Sequence, residues 1–149
     1  MLDGTTVQFI SRRESQFREY PPASAQAVVV IPFFGDLSIW VRPQTDRGWQ
    51  FPAGQRRSGE TIGEAAKRQL WETTRLAVPK LELLGCLARG EGRARVAYVY
   101  VCEVGRLPLW SERPEQSVEI GAFVRLPKPI EGEWCTTLLD AARRARRGV

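Results

Sequence analysis

The sequence predicts a single α/β domain in which a mixed β-sheet is covered by helices on both faces. The 149 residues suffice for one domain with a buried core and are too few for two ordinary ones. Strand patterns come in two groups, and a helical pattern follows each group. Because there is no internal repeat, low-complexity segment or linker, we treat residues 1–149 as one domain.

The first group of strands occupies the N-terminal part of the chain. Residues 1–25 form an N-terminal extension with a predicted strand, and it ends in the stiff, extended Tyr20-Pro21-Pro22 stretch. Residues 27–33 are a continuous, mostly β-branched run, as expected for a strand buried on both faces. Gly35-Asp36 predicts a turn into an alternating strand over residues 37–42. These two strands should form a hairpin.

A helix is predicted from Thr61 to about Arg75. Thr61 and Glu64 have the spacing of a capping box, in which both side chains satisfy free amides at the start of a helix. Pro79 ends any continuation of the helix. The chain therefore places one well-capped helix between the two groups of strands.

The second group of strands begins after this helix. Strands over residues 81–88 and 96–104, joined by a Gly90-Glu91-Gly92 turn, predict a second hairpin. A proline-containing loop leads to a further strand over residues 118–126. Residues 136–147 have the spacing of an amphipathic closing helix.

Composition excludes several functional classes. Apolar residues make up 43% and charged residues 26% of the chain, as in an average globular protein. No apolar run reaches the roughly 18 residues of a membrane span, and the first residues do not resemble a signal peptide. A cytoplasmic location is therefore the default expectation. The absence of histidine excludes Ser-His and Cys-His catalysis, so any metal must have oxygen ligands, which favours magnesium, manganese or calcium.

The cysteines and the basic residues carry weaker signals. Cys86, Cys102 and Cys135 are far apart and odd in number, so we expect buried, unreactive thiols. The net charge is +5, and nearly all of the 22 basic residues are arginine, which suits phosphate but also follows from a biased genome composition. The densest run, residues 143–147, is better explained as a solvated helix end than as a nucleic-acid site.

The most informative stretch is residues 49–60, Trp-Gln-Phe-Pro-Ala-Gly-Gln-Arg-Arg-Ser-Gly-Glu, directly before the capped helix. Here the chain resembles the Nudix family over roughly residues 25–147. The Nudix box is a glycine, five residues, a glutamate and seven residues before Arg-Glu-aliphatic-any-Glu-Glu-any-Gly-aliphatic, on a loop-helix-loop. This chain has matching residues at six of these positions: Gly54, Glu60, Arg68, Leu70, Glu72 and Leu76.

The chain departs from the box at four positions. Gln69, Thr73 and Arg75 stand where the family has glutamate, glutamate and glycine, and Ala53 stands where a second glycine is usual. Carboxylates spaced i, i+3 and i+4 lie on one helix face, where three of them can gather magnesium ions against a diphosphate. In this chain that face carries Gln69, Glu72 and Thr73, so one carboxylate of the three remains.

The resemblance implies a hydrolase that uses Mg²⁺ or Mn²⁺ to cleave a nucleoside diphosphate linked to another group. It also implies that position 69 acts on metal and water, that Arg68 orients its neighbour, and that Glu60 supports the cluster. Glu72, Glu60 and the carbonyl of Gly54 are the implied metal ligands. Glutamine cannot take a proton, and loss of a general base costs roughly 10²–10⁴ in rate. We therefore expect weakened metal binding and turnover.

Other residues are candidates for supporting roles. Trp49 is the first candidate for stacking on a base, although tryptophans are more often core residues. Arg56 and Arg57, in the loop before the helix, are candidate substrate-binding residues. Arg89, Arg93 and Arg95 flank a hairpin tip and are candidates for a phosphate clamp that needs no metal, although solvated arginines are commoner there. Replacement metal ligands could come from five carboxylates: Glu60, Glu64, Glu91, Glu115 and Glu119.

Two functions remain open at this point, beside a third, weaker possibility of a basic protein that binds RNA or another protein through its arginines. The narrowly favoured one is a divalent-metal-dependent Nudix hydrolase of reduced activity. The alternative is a catalytically inactive Nudix-fold module that binds a nucleotide-like or phosphate-containing ligand. The expected partner is a small nucleotide or diphosphate. No membrane is expected, a nucleic acid is less favoured, and a homodimer is compatible with the sequence.

Overall fold

Two parallel strands form the centre of the sheet. The computed structural model describes residues 7–43, 48–90, 95–108 and 119–148. Strand β2 (Ala27–Phe34) lies parallel to β6 (Arg95–Glu103). Six of the eight β2 residues are buried, which confirms the prediction of a strand covered on both faces.

Further strands extend the sheet on both sides. Strand β5 (Glu82–Arg89) pairs antiparallel with β6, and β1 (Val7–Ser11) pairs antiparallel with β5. On the other side, β3 (Leu37–Arg42) forms the predicted hairpin with β2 and pairs with β7 (Glu119–Phe123). The order β1-β5-β6-β2-β3-β7 makes a mixed sheet, as predicted.

A short strand, β4 (Ala53–Gln55), joins the sheet beside β2 and was not predicted. Strand β3 pairs with β2 only at Phe33 and Phe34, so it leaves the first half of β2 without a neighbour on that side. Strand β4 takes this place by pairing with residues 27–29. Three residues are too few to show an alternating pattern, so only the free edge of β2 accounts for this strand.

The two helices cover opposite faces of the sheet. Successive β2 residues point to opposite faces, so Val28 and Val30 belong to one core cluster while Val29 and Ile31 belong to the other. Helix α1 (Ile62–Thr74) packs in the first cluster, and α2 (Glu133–Arg146) packs in the second. The result is the α/β/α sandwich that the sequence predicted.

The capping box at the start of α1 is confirmed. Thr61 Oγ1 accepts a hydrogen bond from the Glu64 N–H at 3.1 Å, and Glu64 Oε1 accepts one from the Thr61 N–H at 2.8 Å. These bonds satisfy amides that the helix cannot pair internally. They fix where α1 begins relative to the preceding loop.

Some boundaries differ from the predictions. Helix α2 begins at Glu133, earlier than the predicted residue 136, because Gly132 is its N-cap and an acidic residue suits the first turn. Strand β7 is shorter than residues 118–126, whose first residue lies outside the described part. In the N-terminal extension β1 is the expected strand, but Pro22 begins a 3-10 turn, since its fixed φ suits a first helical position.

The three cysteines are free and buried, as expected. Burial raises the pKa of Cys86 to about 11 and the pKa of both Cys102 and Cys135 to about 12. These thiols therefore stay protonated and serve as small core side chains. Within the described ranges, neither helix is long and apolar enough to cross a membrane.

Arg75, which replaces the box glycine, closes α1 in the left-handed conformation with a φ of 60°. This conformation costs a side-chain-bearing residue about 1 kcal/mol. We predict that Arg75→Gly is about 1 kcal/mol more stable to urea than Arg75→Ala. Both variants lose the contact of Arg75 with the Trp71 ring, and only glycine removes the strain. Equal stability of the two variants would contradict this explanation.

Candidate functional site

The Trp-x-Phe-Pro stretch anchors the site to the core. Phe51 is fully buried and stacks on Trp40 with ring centroids 3.9 Å apart. The Val30 N–H donates to the Pro52 carbonyl at 2.9 Å, and the Arg56 N–H donates at 2.8 Å to the carbonyl that precedes β2. Strand β4 is therefore held against β2 at both ends, and the loop that follows it starts from a fixed position.

Alternate carbonyls of β4 face helix α1. The Gln55 carbonyl accepts a hydrogen bond from Arg68 Nη2 at 2.9 Å, and the Ala53 carbonyl accepts one from the Gln69 amide at 3.1 Å. Gly54 lies between them and pairs with β2. Since carbonyls alternate along a strand, the Ala53 and Gln55 carbonyls face the helix. The role of the Gly54 carbonyl as a metal ligand, which the resemblance implied, stays a prediction.

Arg68 joins the loop, β4 and the helix face. Its Nε donates to Glu60 Oε2 at 2.6 Å, and its Nη2 donates to Glu60 Oε1 at 3.0 Å and to the Gln55 carbonyl. Its Nη1 lies 3.1 Å from both Glu72 Oε1 and Gln69 Oε1. A guanidinium has five N–H donors, so every donor of Arg68 has an acceptor.

Glu60 is fully engaged by the loop and by Arg68. Besides the two bonds from Arg68, its Oε1 accepts the Arg57 N–H at 2.8 Å. These hydrogen bonds, from Arg68 first and the Arg57 backbone second, lower the pKa of Glu60 to about 2. The role of Glu60 in supporting a metal cluster, which the resemblance implied, stays a prediction. To bind a metal as well, Glu60 would have to give up some of these bonds.

Gln69 packs directly on Gly54. A Cβ at position 54 would lie 2.1 Å from the terminal amide of Gln69, so any larger residue there would have to displace this amide. The amide donates to the Ala53 carbonyl and accepts from Arg68. A glutamate at position 69 would instead turn a second acceptor toward Ala53, and a cation would be needed between them. The glutamine N–H supplies that contact without an ion.

Glu72 lies between two arginines. Its Oε1 is 3.1 Å from Arg68 Nη1, its Oε2 is 3.3 Å from Arg57 Nη2, and 37% of its side chain is exposed. Gln69 and Glu72 thus meet at the same Arg68 nitrogen, as expected for positions on one helix face. Thr73, the third position of this face, is half-buried.

The side chains of this face do not fit the family's pair of cations. Magnesium is held mainly by carboxylate oxygens, and here Glu72 is the remaining box carboxylate on the helix face. The described residues contain no group of three acidic, cysteine or histidine side chains that could hold a metal. Among the replacement candidates, Glu64 caps the helix and Glu119 is bound to Arg42, while Glu91 and Glu115 lie outside the described part.

Two of the candidate ligand-binding residues have partners within the protein. Arg56 donates to the carbonyls of Pro22 and Ala23, which ties the loop to the N-terminal extension. Trp49 is 9% exposed, with Phe123 at its edge and Arg42 over its ring at 5.0 Å. Stacking of a base on Trp49 would have to displace these neighbours. Arg57 keeps a largely exposed side chain, with a relative exposure of 63%.

A cavity of about 220 Å³, here called the ligand cavity, adjoins β4 on the α2 face of the sheet. Sequence reasoning did not find it. Its walls are apolar β-strand residues, and its polar rim includes Arg89 and Arg95, while Arg93 lies outside the described residues. The residues that define the cavity here are Gln26, Val29, Gln55, Arg89, Arg95 and Trp134.

This mixed sheet between two helices, with a glycine-containing strand packed on a capped helix, defines a Nudix-type domain. The NUDIX domain family matches residues 21–134. The chain belongs to this family. No curated protein matches the chain.

Solved structures share the fold. A mutant of the Bacillus subtilis pyrophosphohydrolase BsRppH is 23% identical with a TM-score of 0.72, covering 93% of this chain and 90% of that chain. An ADP compounds hydrolase is 17% identical with a TM-score of 0.66, covering 96% and 92%. A MutT NUDIX hydrolase from Burkholderia pseudomallei is 19% identical with a TM-score of 0.61, covering 77% and 95%. At these identities the likeness shows the fold alone.

The lowered pKa of Glu60 makes the stability of the folded protein depend on pH. Since its pKa falls from 4.5 to about 2 on folding, the ionised group stabilises the protein above pH 4.5, and this contribution is lost as the pH falls toward 2. We predict that urea stability declines more steeply over this range in wild type than in Glu60→Gln. Glu19→Gln, an exposed site outside the loop, should decline like wild type. Parallel curves for wild type and Glu60→Gln would refute the prediction.

Proposed function

We propose that this Nudix domain binds a nucleotide-like, diphosphate-containing ligand in the ligand cavity through arginines, without the family's ordinary cation-dependent turnover. The observation that carries the proposal is that Arg89 and Arg95 lie directly opposite each other. They are direct partners across β5 and β6, and both line the cavity. Like charges directly opposite each other destabilise a sheet. An anionic group between the two guanidinium groups would relieve this repulsion and accept hydrogen bonds from both.

The rest of the cavity suits a nucleoside. Ligand cavities combine apolar walls with a few polar groups that fix orientation. Val29, Leu87 and Ala97 provide apolar walls, and the half-buried Trp134 ring offers a surface for a base. Gln26 and Gln55 also line the cavity, and the Gln26 amide oxygen accepts the Val96 N–H at 3.0 Å, which leaves its amide N–H groups for a ligand.

The cavity also adjoins the box. Gln55 lines the cavity, and its backbone carbonyl accepts a hydrogen bond from Arg68. The box itself has no unpaired negative charge, because both of its carboxylates, Glu60 and Glu72, are paired with arginines. A ligand phosphate near this loop would meet the exposed guanidinium of Arg57.

A second candidate function is metal-dependent hydrolysis of reduced rate. Glu72 favours it, because this carboxylate stays in register on the helix face and is partly exposed. A cation bound there would have to compete with Arg57 and Arg68 for its two oxygens. The chain's own family membership keeps this candidate open.

Binding in EDTA tests the main proposal. We expect calorimetry to show that ADP and ADP-ribose bind wild type without metal, and that Arg89→Gln with Arg95→Gln weakens binding at least about tenfold, as for loss of charged hydrogen bonds. Trp134→Leu should weaken the binding of both nucleotides and leave the affinity for inorganic pyrophosphate unchanged. Arg18→Gln, outside the cavity, is the matched control.

The same ligands with Mn²⁺ separate the two candidates. Product release by wild type that Glu72→Gln abolishes would support the hydrolase. No release by wild type, with release by the double variant Gln69→Glu, Thr73→Glu, would support the binding module. Absence of nucleotide binding in EDTA would overturn the proposal.

A further inference from the structure

A second cavity, of about 200 Å³, lies on the α2 face of the sheet beside the last turns of α2. Its walls come from β1, the start of β5 and α2, and three arginines line it. The guanidinium groups of these arginines make no hydrogen bond or ion pair within the described ranges. One carboxylate, that of Glu82, also lines the cavity, so positive charge is in excess. The residues that define the second cavity here are Phe9, Arg12, Arg13, Leu84, Ala141 and Arg144.

The second cavity meets the ligand cavity at one pair of facing side chains. Phe9 is the direct partner of Leu87 across β1 and β5. Phe9 lines the second cavity, and Leu87 lines the ligand cavity. Directly opposed residues of two antiparallel strands lie on one face of the sheet with their Cβ atoms about 5 Å apart. The two cavities are therefore continuous along β1 and β5.

One side of helix α2 covers both cavities. Trp134 lines the ligand cavity, while Ala141 and Ala145 line the second cavity. Residues spaced by seven and by four lie on the same side of a helix. Since two of these three side chains are only methyl groups, they leave space between α2 and the sheet. The two cavities thus form one groove along the side of α2 that faces β1.

This groove has a cationic group at each end and apolar residues between them. Arg89 lies opposite Val7 at the start of β1, and Arg12 directly follows the end of β1. The five residues from Val7 to Arg12 span about 17 Å at roughly 3.3 Å per residue. Phe9 and Leu87 lie between these ends, and we call this pair the apolar floor.

The charge at the second cavity exceeds what a helix end requires. Arg144, in the last turn of α2, complements the helix dipole. Arg12 and Arg13 follow β1 and have no such role, yet they line the same cavity. Cations that converge on one cavity repel each other. An anion that accepts hydrogen bonds from Arg12 and Arg144 would relieve this repulsion.

We propose that the ligand of this domain is a nucleoside diphosphate linked to an apolar arm that ends in an anionic group, either a carboxylate or a phosphate. The inference rests on the proposed function, which puts the diphosphate between Arg89 and Arg95. The arm then lies on the apolar floor, and its end group accepts hydrogen bonds from Arg12 and Arg144. A longer phosphate chain fits less well, because charged groups over an apolar floor would lose water without gaining partners.

Calorimetry in EDTA with three esters of ADP tests the inference. Each ester carries the same saturated twelve-carbon arm on the terminal phosphate, and the arm ends in a methyl group, a carboxylate or a phosphate. We expect wild type to bind at least one anionic ester about tenfold or more tightly than the methyl-ended ester, as for added charged hydrogen bonds. The tighter of the two identifies the end group. The double variant Arg12→Gln, Arg144→Gln should abolish this gain and leave the affinity for ADP unchanged.

The matched control is Arg18→Gln with Lys128→Gln, which removes the same charge at exposed positions outside both cavities and should keep the gain. Ala141→Leu, which narrows the groove, should weaken the binding of all three esters and leave the affinity for ADP unchanged. Thermal melts check that each variant is folded.

Two kinds of failure are distinguishable. If wild type binds ADP but binds the three esters equally, the inference is overturned and the proposed function stands. The same holds if the Arg12 and Arg144 variant keeps the gain, or if Ala141→Leu binds the esters as wild type does. If wild type does not bind ADP, both the proposed function and the inference are overturned.

Discussion

The guanidinium of Arg68 is the interaction on which the site depends. Its five N–H groups reach Glu60, Gln55, Gln69 and Glu72, so one side chain fixes the loop, β4 and the exposed helix face relative to each other. Each acceptor lies in a direction in which the planar guanidinium group points one of its N–H bonds. Loss of this side chain would leave acceptors unpaired in three elements at once.

A neutral or positive site follows from this arrangement. With glutamate at positions 69 and 73, the helix face would carry three carboxylates around one arginine, and divalent cations would be needed to balance them. Here the amide of Gln69 satisfies the Ala53 carbonyl, and both remaining glutamates are paired. The family scaffold is kept, while the helix face carries one carboxylate in place of three. The opposed Arg89 and Arg95 add positive charge in the adjoining cavity.

The sequence predicted the structural features that depend on residues close to each other in the chain. The capping box of α1, the antiparallel pairing of both hairpins and the buried β2 each depend on residues close in sequence, and each is confirmed. The predicted Gly90-Glu91-Gly92 turn extends outside the described residues. Strand β4 depends on the edge that β3 leaves free, and the ligand cavity depends on Trp134 reaching β2 and β5. The convergence of Arg12 with Arg144 joins opposite ends of the chain. No local pattern contains such contacts, because they are set by the packing of remote elements.

The thermal stability of Gln69→Glu with and without Mn²⁺ tests the central claim, that the Gln69 amide replaces a cation. In EDTA the variant should be less stable than wild type by about 1–3 kcal/mol, since two acceptors then face each other. Mn²⁺ should restore the variant and leave unchanged both wild type and Gln69→Ala, which adds no acceptor. A saturable rise in the melting temperature of wild type with Mn²⁺ would contradict the claim.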